Sequence, residues 1–347
     1  MKAAIRADSS LKCGTGHVMR CLTLANILKE RGAAVSFICR NERGNLCAEI
    51  AEAGFAVEVL GSAHELGDGR RDAEETRGAL QRLGVHPDLL VVDHYSLDRR
   101  WEHALRSAAG RILVIDDLAD RPHDCDVLLD SSLHDCAQSR YAGLVGERTR
   151  VFVGPQYALL RPEFDRTAAR VRDRGVGRML IFFGGADPSN EALKAVHALR
   201  ALAARAPRTV MVLGPINPRA GLIRQAASGL TGIELLGVTG DMAGLMADAD
   251  LALGACGGAA WERCILGLPA LVAVTAENQR DDSRILHSLG AVRNLGDAAE
   301  TTAEMWAAEI AAMLEDPAAL AAMSRAARAV MQGREEARRD FEPALVR

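Results

Sequence analysis

The sequence predicts an α/β chain of two Rossmann-like domains, their parallel sheets facing a central cleft, and three observations point there. Short apolar, β-rich runs alternate with longer helical patterns along the 347 residues, the signature of parallel strands joined by crossover helices. The pattern restarts near residue 178, where Arg178-Met-Leu-Ile-Phe-Phe183 runs into Gly184-Gly185 as the first strand runs into its own glycine turn. A composition 49% hydrophobic and 25% charged over this length supports about two ordinary cores.

The elements follow in order. Ala3–Ala7 is the first strand, followed by a glycine loop and a helix whose Met19, Leu22, Leu24, Ile27 and Leu28 fall near helical spacing, with Arg31-Gly32 as its C-cap. Ala34–Cys39, Val57–Leu60, Asp88–Val92 and Arg111–Ile115 are the next strands. The stretch from Gly154 to Gly177 holds Pro155, Pro162 and a charge-dense Arg/Asp segment without strand character, so a boundary is expected inside it. That predicts an N-terminal domain over 1–155, a linker over 156–177 and a C-terminal domain over 178–347. In the latter, Thr209–Leu213, Ile233–Leu236, Asp250–Leu253 and Ala270–Val274 are strands, and Ala303–Arg347 is Ala-rich, charged and mostly helical. This tail can pack back on either domain, its last helix on the N-terminal one.

Composition removes several function classes. Forty-two Lys plus Arg against forty-six Asp plus Glu give a formal net charge of -4, which supplies no basic field for a nucleic acid. Apolar runs such as Leu89–Val92 and Leu271–Val274 stop far short of the ~20 residues of a membrane helix, and Asp8 interrupts any apolar signal region. A cytoplasmic protein is expected. The eight cysteines contain no C-x-x-C pair and are expected to be free. The repeated tripeptides His123-Asp124-Cys125 and His134-Asp135-Cys136 lack zinc-like spacing.

Chemistry concentrates in two stretches. Asp8-Ser-Ser-Leu-Lys-Cys-Gly14-Thr-Gly16-His17-Val-Met-Arg20 places two glycines and a histidine between a strand and a helix. Glycine lets the turn pass close to a ligand, and the helix N-terminus carries about half a positive charge. Met19 occupies the place of the third glycine of a dinucleotide fingerprint, which disfavours an NAD enzyme. At the first helical turn the dipole disfavours imidazolium, so His17 is expected neutral and able to take a proton from water, oriented by Asp8; equally, it can serve only to cap the helix. The second stretch, Gly254-Ala-Cys-Gly257-Gly258-Ala259-Ala260-Trp-Glu262, offers backbone N–H groups to a diphosphate and an acid one turn later to the ribose hydroxyls, or is a tight turn with a first-turn acid. Asp93-His94-Tyr95 and Glu277-Asn278-Gln279 close two further strands, where open α/β sheets bind ligands. Asp116-Asp117 reads as a loop or helix-start feature and stays outside the site.

Taken with Arg6-Ala-Asp8-Ser9 and Phe183-Gly-Gly-Ala-Asp187, these motifs resemble the UDP-sugar hydrolases of pseudaminic acid biosynthesis, in the same order from about residue 3 to about 295. The Gly14-Thr-Gly16-His17-Val-Met-Arg20-Cys block is the specific part; the rest is shared more loosely with GT-B glycosyltransferases of the MurG type. The resemblance implies a GT-B fold and hydrolysis of UDP-2,4-diacetamido-2,4,6-trideoxy-β-L-altropyranose to UDP and the free sugar, without metal or other cofactor. It assigns catalysis to His17, sugar contacts to Asp8, Gly14, Gly16, Tyr95 and Asn278, and UDP to Val238, Met242, Gly257, Gly258, Ala259 and Glu262. Relatives often carry Ser or Thr after the glycines where this chain has Ala259-Ala260, so hydroxyl contacts to phosphate are missing there. The implied chemistry is attack of water at the anomeric carbon, opposite UDP, with His17 as general base and inversion of configuration. A GT-B glycosyltransferase and a non-catalytic nucleotide-sugar-binding protein are the alternatives. Oligomeric state stays open, a monomer included.

Overall fold

The computed structural model describes residues 1–61 and 69–346. The chain divides into two compact units, one formed by Met1–Leu159 with the segment from Gly333 onward, the other by Leu160–Gln332. In the first unit β1 (Lys2–Ala7), α1 (Gly16–Glu30), β2 (Ala34–Arg40), α2 (Cys47–Glu52), β3 (Ala56–Leu60), α3 (Gly69–Arg82), β4 (Leu89–Asp93), α4 (Arg99–Leu105), β5 (Arg111–Ile115), β6 (Val127–Asp130) and β7 (Arg150–Val153) follow one another. The strands form one sheet in the order β3-β2-β1-β4-β5-β6-β7, every pairing parallel. The strand order reverses between β1 and β4, and ligands of open α/β sheets bind beyond the strand C-termini at such a point.

α1 buries Val18, Cys21, Leu24, Ala25 and Leu28, a stripe turned from the one expected, and Met19 is 43% exposed. Both stripes have helical period; the docking of α1 on the sheet decides between them. Trp101 is fully buried and donates its Nε1–H to Asp72 Oδ1 at 2.8 Å, so the largest side chain of this core keeps its one polar atom satisfied.

The second unit contains α5 (Pro162–Arg166), β8 (Arg178–Phe182), α6 (Glu191–Leu202), β9 (Arg208–Val212), α7 (Ala220–Ala227), β10 (Ile233–Leu236), α8 (Met242–Asp248), β11 (Leu251–Ala255), α9 (Ala259–Ile265), β12 (Ala270–Val274), α10 (Arg280–Ser288), β13 (Val292–Asp297), α11 (Ala303–Glu315) and α12 (Pro317–Val330). Its sheet runs β10-β9-β8-β11-β12-β13, again parallel throughout, with its reversal between β8 and β11. Within 160–177 the arginine-rich stretch is partly built into this unit. Arg172 is 1% exposed and donates to the carbonyls of Met246 (3.0 Å), Ala249 (3.2 Å) and Leu266, capping the C-terminal ends of α8 and α9. Burial and the neighbouring Arg170 push its guanidinium down to about 10. α13 (Arg334–Val346) completes the first unit.

Candidate functional site

Parallel pairing of β1 with β4 sets Ala7 opposite Asp93, so the loop after β1 and the residues after β4 leave the sheet side by side. Gly14 turns that loop with φ +77°, a region open to glycine at little cost; its N–H donates to Ser10 O at 2.8 Å and its carbonyl accepts from Ser10 N at 3.2 Å. Thr15 makes no side-chain cap, and the first bond of α1 is from Met19 N to Thr15 O at 3.0 Å. Helix geometry leaves the amides of Gly16, His17 and Val18 without an intrahelical acceptor.

His17 Nδ1 lies 2.5 Å from Asp93 Oδ1. The fully buried Asp93 also accepts from Arg20 Nε and Nη2, both at 2.6 Å, and Arg20 Nη1 reaches Asp117 Oδ2 at 2.9 Å. Burial by itself pushes the Asp93 carboxyl up, but Arg20 and His17 outweigh it and hold the group well below the usual carboxylate range. An ionised carboxylate only accepts, so Nδ1 carries a proton toward Asp93 and Nε2 is the ring nitrogen not engaged by that carboxylate. Tyr95 packs edge-on against the imidazole, ring centroids 4.4 Å apart, and its hydroxyl donates to Asp117 Oδ2 at 3.4 Å. Burial and Asp117 push that phenol up, so it stays a donor. The imidazole is thereby fixed in tautomer by Asp93 and in plane by Tyr95.

Asp8 does not orient His17, contrary to the expectation. It receives Arg6 Nη1 at 2.5 Å and Nη2 at 2.8 Å and the Arg40 amide at 2.7 Å. Toward the residues after β4 it approaches His94 Nε2, 3.5 Å from its Oδ2. The reason is reach: Asp8, the first residue after β1, meets the end of β2, while His17, one loop further on, comes back over β4. Asp116 and Asp117 point apart. Asp116 is fully buried near His123 and Tyr141, whereas Asp117, expected outside the site, belongs to it through Arg20. Arg20 lies three positions after His17, hence on one helix face, and that spacing was its readable signal. Among the described residues no group of three or more His, Cys, Asp or Glu is arranged to hold a metal ion. His123 pairs instead with Glu102, and His134 with Ser132 and Arg140.

In the second unit, Gly257, Gly258 and Ala259 form the turn from β11 into α9, with Glu262 in the first turn of that helix. A Cβ on Gly254, at the end of β11, would lie 2.8 Å from Phe182 O and 2.7 Å from Arg263 Nη1, so the strand cannot accept a side chain there. Arg263 is 2% exposed and donates to Ala255 O at 2.6 Å, tying α9 to the end of β11. Glu262 receives Arg161 Nη2 at 3.0 Å and Nε at 3.2 Å, both on Oε1. Asn278 stands half-buried in the short helix after β12, and the neighbouring Gln279 comes within 3.7 Å of where a Gly257 Cβ would be. Val238, beyond β10, is 76% exposed, while Met242 opens α8 at 5% exposed, so its side chain belongs to the core. The predicted residues thus gather at two places: Gly14, Gly16, His17 and Tyr95 with Asp8 to one side in the first unit, Gly257, Gly258, Ala259 and Glu262 with the Asn278 loop in the second.

No protein-family model matches the chain. It is 33% identical over 195 residues to the UDP-2,4-diacetamido-2,4,6-trideoxy-β-L-altropyranose hydrolase of Campylobacter jejuni, which covers 56% of this chain and 64% of that one. It is 25% identical over 290 residues to an uncharacterized protein of Methanocaldococcus jannaschii, covering 81% of this chain and 57% of that one. Identity is 24% over 302 residues to a spore coat polysaccharide biosynthesis protein of Bacillus subtilis, covering 85% and 84%. The chain therefore spans less than two thirds of the length of the first two. Among solved structures, Acinetobacter baumannii MurG matches with a TM-score of 0.61 at 15% identity, over 98% of this chain and 100% of that one. LpCGTa in complex with UDP matches at 0.64 and 15%, over 100% and 99%. Two parallel-sheet α/β units with such neighbours are the GT-B fold.

Proposed function

We propose that this chain hydrolyses a UDP-sugar, releasing UDP and the free sugar by a single inverting displacement, and that its substrate is UDP-2,4-diacetamido-2,4,6-trideoxy-β-L-altropyranose. The observation that carries the reading is the His17–Asp93 contact at 2.5 Å, placed at the strand-order reversal of the first sheet. A neutral imidazole with Nδ1–H held by a buried carboxylate presents Nε2 as a base, and a positioned base is worth about 10²–10⁴ in rate. The sequence likeness to the Campylobacter hydrolase supports the substrate class.

In this reading His17 Nε2 takes a proton from water as its oxygen attacks the anomeric carbon, and the C–O bond to UDP breaks on the opposite face. The proton ends on His17, the electron pair on the departing diphosphate. Backbone N–H groups at Gly257, Gly258 and Ala259 stabilise the charge growing there, Glu262 accepts the ribose hydroxyls, and the exposed Val238 borders the base. Gly14, Gly16, Asp8 and Tyr95 contact the sugar from the first unit.

The test is UDP release from that UDP-sugar without an acceptor, wild type against His17→Ala. Release that falls at least ~100-fold in the variant is expected. Release only on adding an acceptor would instead mark a glycosyltransferase, and binding without release a nucleotide-sugar-binding protein.

A further inference from the structure

Arg161, just ahead of α5, was singled out neither by spacing nor by motif, yet its guanidinium is spent on the one acid of the glycine turn. Nε and Nη2 both donate to Glu262 Oε1, at 3.2 and 3.0 Å. A second acid, Glu163, lies 3.4 Å from Nε, and the guanidinium rests 5.0 Å over the Phe164 ring, whose side chain is 1% exposed. Arg161 is therefore anchored from below by α5, which packs against α9, and delivers its charge to a single oxygen. Two donors, both from Arg161, occupy the lone pairs of Oε1 and leave Oε2 outside this pairing. The Glu262 side chain is only 15% exposed. Burial pushes this carboxyl up, and Arg161 is the leading influence that draws it back down.

Resting on the UDP reading of the second unit, we infer that Arg161 is a positioning residue for nucleotide recognition, which holds Glu262 with Oε2 presented to a vicinal diol. The ligand class is a ribonucleoside diphosphate, distinguished from its deoxy counterparts at the ribose. The alternative assignment, a plain tie between α5 and α9, would give Arg161 a role in stability alone.

Isothermal titration of the full chain separates the two. UDP and 2′,3′-dideoxy-UDP are titrated into wild type, Arg161→Met and Arg161→Lys. Wild type is expected to prefer UDP by at least about tenfold, the size of one to two charge-assisted hydrogen bonds. Arg161→Met should lose about tenfold for UDP and less than about twofold for the dideoxy analogue, with Arg161→Lys between, because a diol contact already absent cannot be lost twice. If Arg161→Met fails to fold, the Lys variant carries the comparison. Equal losses for both ligands, or an unchanged preference in a folded variant, overturn the role of Arg161 and leave the UDP site standing. Wild type that binds no UDP overturns both, and wild type that binds the two ligands equally overturns the Glu262–ribose contact and the role of Arg161 with it.

Discussion

At the scale of single residues, the proposed base depends on a buried carboxylate. Asp93 is a buried acceptor for His17, Arg20 and Cys21, and replacing it by Asn keeps the shape while removing the charge. An amide can present its NH₂ to the imidazole, which then carries its proton on Nε2 and ceases to be a base. Asp93→Asn is expected to lower kcat for UDP release about 10²-fold or more with KM changed less than about threefold; full activity in a folded Asp93→Asn protein would remove Asp93 from the chemistry. The two members of this pair were readable to different degrees. His17 stood out because a glycine loop precedes it. Asp93 was visible as the end of a strand, but its partner was not, since 76 positions separate the two and only the parallel register of β1 with β4 closes that gap. Asp8, nearer in sequence, was the natural guess and pairs with Arg6 instead.

At the scale of elements, ion pairs decide how loops and helices lock together. His123, in the connection from β5 to β6, places Nδ1 at 2.6 Å from Glu102 Oε1 on α4 and Nε2 at 3.8 Å from Asp116 at the end of β5. Burial lowers the imidazolium, and Asp116 and Glu102 raise it further, to about 9. The folded value lies above the unfolded one of about 6.5, so protonated His123 stabilises fully below about pH 6.5 and this contribution is lost as pH rises through about 9. Thermal melts from pH 6 to 9.5 should therefore fall more steeply for wild type than for His123→Gln, which starts lower at pH 6; parallel slopes would exclude a protonated His123. Such pairs were invisible in the sequence, and three strands were missed with them. β6 and β7 have four residues each, too short for a two-residue period to show, and β13 reads Val-Arg-Asn-Leu-Gly-Asp, polar and broken by glycine. β1, β2, β4, β5 and β12 were legible because a strand buried on both faces is a continuous apolar run.

At the scale of the whole molecule, the chain builds its first unit with both of its ends. α13 buries Phe341, Ala344 and Leu345, stacks Phe341 edge-on with Phe152 at 5.1 Å, and has its last carbonyls, Ala344 and Leu345, capped by Arg111 at 2.9 and 3.1 Å. Ending the chain at Gln332 should cost the first unit about 3–6 kcal/mol, from the apolar burial of one Phe and one Leu. Hydrogen exchange would report it as faster exchange in β6 and β7 with β8 and β11 unchanged; uniform protection in the truncated chain would show that α13 adds no stability. The alternation of strand and helix, the two sheets and the glycine turns were determined by the sequence itself, because hydrophobic period and backbone freedom are local properties. Which residue meets His17, how Arg161 reaches Glu262 and where the last helix packs were decided by the tertiary structure alone, because a charge finds its partner through strand register and packing, and neither is written in the spacing along the chain.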